Sequence, residues 1–154
     1  MSCVHVLNGP NLNLLGTRKP ETYGTTTLNA VEQMCRNETT RHGVDLVFRQ
    51  SNHEGQLVDW IHDAGSAVNA GKAIGAVFNP GALTHTSLAL HDAIEGTQLP
   101  VIELHISNVH HREAFRHHSY ISPVARGIII GLGVNGYRLA INALLASVDT
   151  KESV

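Results

Sequence analysis

Glu103 and His105 stand two residues apart in ELHISN, residues 103–108. In an extended segment that spacing puts both side chains on one face. A carboxylate beside an imidazole holds one ring nitrogen and raises the basicity of the other, which prepares the histidine to deliver a proton. Ser107 and the neighbouring backbone N–H groups offer donors to a ligand carboxylate. The same pair also fits a buried histidine hydrogen-bonded for structure alone.

A second combination lies in NGPNLNLLGTRKPETYG, residues 8–24, where Arg18 and Tyr23 bracket Pro20. The segment is too long for a simple strand-to-helix turn, and long structured loops tend to be functional. A phenol is a poor base at neutral pH, with a pKa near ~10. A cation at ~4 Å contributes about 4 kcal/mol to its ionised form at an effective dielectric of ~20, before desolvation is subtracted. Beside Arg18, Tyr23 can therefore act as a tyrosinate on a loop that folds over a site as a lid; alternatively it caps the loop.

NPGALTHTS, residues 79–87, supplies Asn79, Thr84, His85 and Ser87 ahead of a helix, whose free N–H groups suit an anion or a hydroxyl-rich ligand. A capped helix start with an exposed histidine fits as well. Arg112 and Arg116 are four apart in VHHREAFRHHSY, residues 109–120, and share a face if that segment is a short helix. The doublets His110–His111 and His117–His118 invite a metal, yet no HExxH or CxxC spacing accompanies them, so no metal is expected.

These segments need a frame. Short apolar runs alternate with stretches of helical period, the pattern of a parallel sheet with crossover helices. The spacing predicts strands at Cys3–Leu7, Val44–Arg49, Ala73–Phe78, Val101–Leu104 and Gly127–Ile130. Between them Leu28, Val31 and Cys35, then Leu57, Trp60, Ile61 and Ala64, then Leu88, Ala89 and Asp92, then Tyr137, Ile141, Leu144 and Val148 predict four helices. Thr27 is the expected N-cap of the first, and Ser51 with Glu54 has capping-box spacing ahead of the second.

Right-handed strand-helix-strand units of this number predict an α/β fold, a flavodoxin-like three-layer α/β/α sandwich with a five-stranded parallel sheet. Ligands then collect at the carboxyl ends of the strands, where the polar segments above lie. A single catalytic domain is expected over residues 1–148, followed by a polar tail at 149–154.

Composition narrows the partner. With 42% hydrophobic and 16% charged residues the 154-residue chain reads as a globular protein, and its net charge of −2 gives no reason to expect nucleic acid or an anionic membrane. No apolar run approaches the ~20 residues of a membrane span, and the apolar N-terminal stretch is too short for a signal peptide, so a cytoplasmic protein is expected. Cys3 and Cys35 form neither a disulfide framework nor a thiolate metal site and are expected in the core.

Together NGPNLNLLGTRKPETYG, RQSNHEGQLVDWIH, NPGALTHTS, ELHISNVHHREAFRHHSYIS and GLGVNGYRLA resemble the type II dehydroquinases, in this order and over almost the whole chain. The resemblance implies reversible, cofactor-free dehydration of 3-dehydroquinate to 3-dehydroshikimate through an enolate, in the shikimate pathway or in quinate breakdown. By motif position, Tyr23 is similar to the base, Arg18 to the cation that keeps it ionised, His105 to the general acid and Glu103 to its orienting partner. Asn11 resembles the residue that holds a water against the enolate oxygen. Asn79, the Ile106 backbone and Ser107 resemble the carboxylate grip, and His85 with Arg116 the hydroxyl-binding pair. Arg112 resembles a second lid-side cation, and Asp92 a residue lent to a neighbouring subunit's site in a dodecamer of trimers.

Some positions depart from the commonest pattern of that family. Lys19 stands where an acidic residue is frequent, and His91 and His117 where arginine is common. Two other readings stay open on residues alone: a flavin or nucleotide module, though no GxGxxG or Walker loop follows the first strand, and a metal-dependent hydrolase using the histidine doublets.

Overall fold

The computed structural model describes residues 2–17 and 19–150, without the side chains of residues 22, 23, 149 and 150. Among the described residues, five strands form one parallel sheet: β1 (Cys3–Asn8), β2 (Asp45–Gln50), β3 (Ala73–Asn79), β4 (Val101–His105) and β5 (Gly127–Ile130). Their order is β2-β1-β3-β4-β5. The helices are α1 (Pro20–Tyr23), α2 (Leu28–Arg41), α3 (Glu54–Asn69), α4 (Leu88–Thr97) and α5 (Asn135–Thr150). This is the expected flavodoxin-like α/β/α sandwich, with α1 as an additional single turn.

The central strands read as continuous apolar runs because both their faces are covered. Val4 and Val6 of β1, with Val77 of β3 and Leu104 of β4, face one core with Val31 and Cys35 of α2 and Tyr137, Ile141 and Leu144 of α5. Leu7, Ala76, Phe78 and Val101 face the other, with Leu57, Ile61 and Ala64 of α3 and Leu90, Ala93 and Ile94 of α4. Asn142 of α5 donates to Glu38 of α2 at 2.8 Å, tying the two helices of the first layer. Cys35 lies in the core as expected, whereas Cys3 is only half-buried.

Thr27 caps α2, its hydroxyl accepting from the Ala30 N–H at 3.2 Å. The capping box expected at Ser51 and Glu54 does not form. His53 occupies the cap position of α3, and Ser51 instead accepts from the His53 N–H at 2.9 Å and donates to Gln56 at 2.7 Å. For α4 the helix is where the sequence predicts it but the phase is different: Leu88, Ala89 and Asp92 lie on the exposed face, and Leu90, Ala93 and Ile94 enter the core. The strands end one residue later than expected at Asn8, Gln50, Asn79 and His105. The α5 backbone continues to Thr150, two residues into the segment expected as a polar tail.

The exits of β1 and β3 are interlocked, which brings two of the polar segments together. The Gly9 N–H donates to the Asn79 carbonyl at 2.8 Å. A Cβ on Gly9 would stand 2.4 Å from the Pro80 carbonyl oxygen, and one on Gly81, whose φ is +61°, would stand 3.0 Å from that of Pro10. Neither position can carry a side chain without moving the opposing loop.

Candidate active site

A cleft opens at the carboxyl ends of β1, β3 and β4, where the fold class predicts a ligand. It holds about 700 Å³ of empty space, open solvent at its mouth included. Its floor and walls include Asn11, Asn79, His85, His105, Ile106, Ser107, Arg112 and Arg116. Asp92 is absent from this wall; it lies in a separate groove between α3 and α4.

At the centre is the Glu103–His105 pair. Both sit on β4 facing the same side, as their spacing requires, with Glu103 only 1% exposed and His105 6%. Glu103 Oε2 lies 2.5 Å from His105 Nε2, so Nε2–H donates and Nδ1 is the nitrogen left to face a ligand. Thr84 and Ser119 hydroxyls donate to the same oxygen at 3.0 and 2.9 Å, and Ser122 donates to Oε1 at 2.5 Å. Burial alone would push the Glu103 carboxyl up. The hydrogen bonds from His105, Ser122 and Ser119, with the charge on His105, outweigh it and hold the carboxyl below its ordinary value. With the folded value depressed, the pair's contribution to stability is present above the ordinary carboxylate range and is lost as pH falls through the lowered value.

His85 stands across from His105 with ring centroids 6.5 Å apart and planes 17° from parallel. Its Nδ1 lies 2.8 Å from the His118 carbonyl, which can only accept, so Nδ1 carries the proton and Nε2 is left as an acceptor. Burial lowers its pKa; the His118 carbonyl opposes this, and the positive charges of His105 and Arg116 add to the lowering. A neutral ring that accepts from a hydroxyl is the form these surroundings favour.

The cationic wall is built differently from the expectation of one short helix. Val109–His111 and Ala114–Arg116 are separate 3-10 turns, and Arg112 between them is extended with φ −104° and ψ −168°. Both guanidinium groups nonetheless line the cleft. Arg112 donates to Ser107 Oγ at 3.3 Å, and Arg116 Nε donates to Glu113 at 2.9 Å with its guanidinium over the Phe115 ring. Two cations in a half-buried wall, with Arg112 against Ser107, suit a ligand carboxylate and its neighbouring hydroxyls.

Asn79 is held from behind. Its Nδ2 donates to the Tyr137 hydroxyl at 3.0 Å, that hydroxyl donates to Asn8 Oδ1 at 2.7 Å, and Asn79 Oδ1 accepts from the Gly81 N–H at 3.2 Å. Burial pushes the Tyr137 phenol up, so it stays a neutral donor. Asn11 is fixed in the left-handed region at φ 69°, which Asn tolerates, and its N–H donates to Asn52 Oδ1 at 2.9 Å.

Arg18 and the Tyr23 side chain lie outside the described residues; the Tyr23 backbone closes α1, the single turn leading to Gly24. Sequence reasoning missed the roles of Ser119, Ser122, Tyr137 and Asn8. Ser119 and Ser122 carried a faint signal, two hydroxyls three apart in an otherwise irregular connection. Among the described residues no group of three or more His, Cys, Asp or Glu side chains is arranged to hold a metal. No described helix is long and apolar enough to cross a membrane.

The sequence matches the model of the family Dehydroquinase class II over residues 2–145. This chain belongs to that family. It is 67% identical over 145 residues to a 3-dehydroquinate dehydratase of Variovorax paradoxus, covering 94% of this chain and 99% of the relative. It is 63% identical over 145 residues to 3-dehydroquinate dehydratase 2 of Ralstonia nicotianae, covering 94% of each. The crystal structure of a type II dehydroquinase from Butyrivibrio crossotus superposes with a TM-score of 0.88 at 40% identity, over 93% of this chain and 97% of that one. One from Propionibacterium acnes gives 0.86, also at 40% identity, over 94% and 96%. The family's architecture is thus the one built here, and the cleft is where this chain gathers His105, two arginines and the amides of Asn11 and Asn79.

Proposed function

We propose that this chain dehydrates 3-dehydroquinate to 3-dehydroshikimate by an anti elimination through an enolate. The observation that carries the reading is the buried Glu103–His105 pair opening into a cleft lined by Arg112, Arg116, Asn79 and Ser107, in a chain whose relatives bear that activity by name. A cyclohexanone that bears a carboxylate and hydroxyls asks for these partners: donors for the anion, acceptors and donors for the hydroxyls, and an acid beside the leaving group.

The C–H next to the ketone is a weak acid and hydroxide a poor leaving group, so elimination needs a base, an enolate stabiliser and an acid. Tyr23, ionised beside Arg18, takes the proton from that carbon, and the electron pair becomes an enolate. Asn11 holds a water against the enolate oxygen, a fixed dipole at the point where charge develops. The enolate then collapses, the C–O bond breaks, and His105 gives its Nδ1 proton to the departing hydroxyl, which leaves as water. Glu103 keeps Nε2 protonated, so the imidazolium that precedes this transfer carries its mobile proton on the cleft side. Asn79, Ser107 and the Ile106 backbone grip the carboxylate; His85 and Arg116 bind the ring hydroxyls, with Arg112 as a further cation. Asp92, exposed on α4 away from this cleft, completes the site of a neighbouring subunit in a dodecamer.

The alternative strategy for such a dehydration is a lysine Schiff base. Of the chain's lysines, Lys19 and Lys72 are not among the residues that line the cleft, and Lys151 lies outside the described residues. Adding 3-dehydroquinate to the protein should raise the ultraviolet absorbance of a conjugated enone, and borohydride added with substrate should leave the rate unchanged. No enone band refutes the activity; substrate-dependent inactivation by borohydride points to an imine and refutes the direct elimination.

A further inference from the structure

We propose that Ser119 and Ser122 are positioning residues for His105: their hydroxyls keep Glu103 a carboxylate and so hold the transferable proton of the acid on the cleft side of the ring. The role rests on the dehydration reading above, in which His105 is the acid. It is carried by a count of donors and acceptors around one buried group.

Ser119 Oγ accepts the backbone N–H groups of Ile121 at 3.0 Å and Ser122 at 3.1 Å. Those two bonds engage both lone pairs of the hydroxyl, so its single proton must be donated. The acceptors in reach are Glu103 Oε2 at 2.9 Å and Thr84 Oγ1 at 2.7 Å, and Thr84 in turn has Oε2 at 3.0 Å. Ser122 covers the other oxygen at 2.5 Å. The tight turn from Ser119 to Ser122 thus places one hydroxyl on Oε1 directly and the other on Oε2, directly or through Thr84.

Each neighbour hydrogen-bonded to that carboxylate is a donor, and His105 Nε2–H is one of them. A protonated Glu103 would have to oppose the His105 N–H or turn the Ser122 or Thr84 hydroxyl from donor to acceptor, inside a site 1% exposed. The flanking strands contribute Phe78 and Ile128 opposite Glu103, neither of which titrates. His85, on the turn that carries Thr84, is a further titratable group and lies within the field of the Glu103 carboxylate. The hydroxyl cage, more than any opposing cation besides His105, thus decides the protonation of Glu103, and Glu103 decides which nitrogen of His105 faces the substrate.

Ser122→Ala is the decisive variant, because it removes one donor while the Ser119 turn keeps its backbone bonds; Ser119→Ala also frees two N–H groups and serves only as support. With ¹³C-labelled glutamate, the Cδ signal of Glu103, assigned by its disappearance in Glu103→Gln, should titrate below the ordinary carboxylate range in the parent protein. In Ser122→Ala its midpoint should rise by about one pH unit, and kcat should fall about tenfold because a carboxylate held by one donor fewer places the His105 ring less firmly, with KM within about twofold. Ser122→Thr should restore both. A folded Ser122→Ala protein with an unmoved Glu103 midpoint overturns the proposal, and so does a moved midpoint with kcat unchanged, which would leave the dehydration reading intact. A parent protein that produces no enone overturns that reading itself, and this is seen before any variant is compared.

Discussion

His105→Ala should lower kcat by about 10²–10⁴-fold, the range of a lost general acid, with a loss of stability too small to explain it. Without the imidazole the hydroxide must leave unprotonated or take its proton from water, and among the described residues no other cleft side chain stands on a buried carboxylate. The fold should survive because Glu103 keeps the donors of Thr84, Ser119 and Ser122 after the ring is gone. One lost hydrogen bond to a charged group costs about 1.5–3 kcal/mol, and for a chain of this size each kcal/mol moves Tm by roughly 2–4 °C. Enone production measured beside the melting temperature separates the two effects. A kcat within tenfold of the parent at unchanged Tm would remove His105 from the acid role.

Tyr23→Phe should be equally severe, about 10²–10⁴-fold in kcat, for the opposite half of the reaction. Phenylalanine keeps the ring but has no oxygen to ionise, so the proton next to the ketone has no base to go to. The carboxylate and hydroxyl contacts of the substrate are made by other residues, so KM should change by less than about threefold. Exchange of that proton with deuterated solvent, followed in the substrate by NMR, should disappear together with turnover. Exchange at the parent rate in Tyr23→Phe would assign the base to another group.

What the sequence disclosed and what it concealed divide along a physical line. The five strands and their order of polar exits were legible because β-branched apolar runs and helical periods are local signals, and so was the Glu103–His105 pair, whose geometry follows from a spacing of two on a strand. The phase of α4 was not. Leu88 and Ala89 look like core residues in a helical reading, yet they lie outward while Leu90, Ala93 and Ile94 pack inward. Hydrophobicity marks a residue that can be buried without saying that it is.

Arg112 and Arg116 show the same limit from another side. Spacing of four suggested a shared helical face, but the segment folds as two 3-10 turns, and the two cations meet the cleft from either side of Glu113. The buried network of Asn8, Tyr137 and Asn79 joins residues up to 129 positions apart, so no local pattern announces it. Ser119 and Ser122 were hidden for a related reason: a serine in an irregular connection reads as solvated until the fold closes it over a carboxylate.

The central claim is geometric: a phenolate and an imidazolium act from opposite faces of one six-membered ring. A crystal structure of the protein with 3-dehydroshikimate bound measures this directly. The account predicts the Tyr23 hydroxyl on one face of the ring, next to the carbon beside the ketone. It predicts His105 Nδ1 on the other face, within reach of the carbon that bore the hydroxyl, with the carboxylate against Asn79 and Ser107. Both groups on the same face, or a ring seated beyond the reach of either, would contradict it.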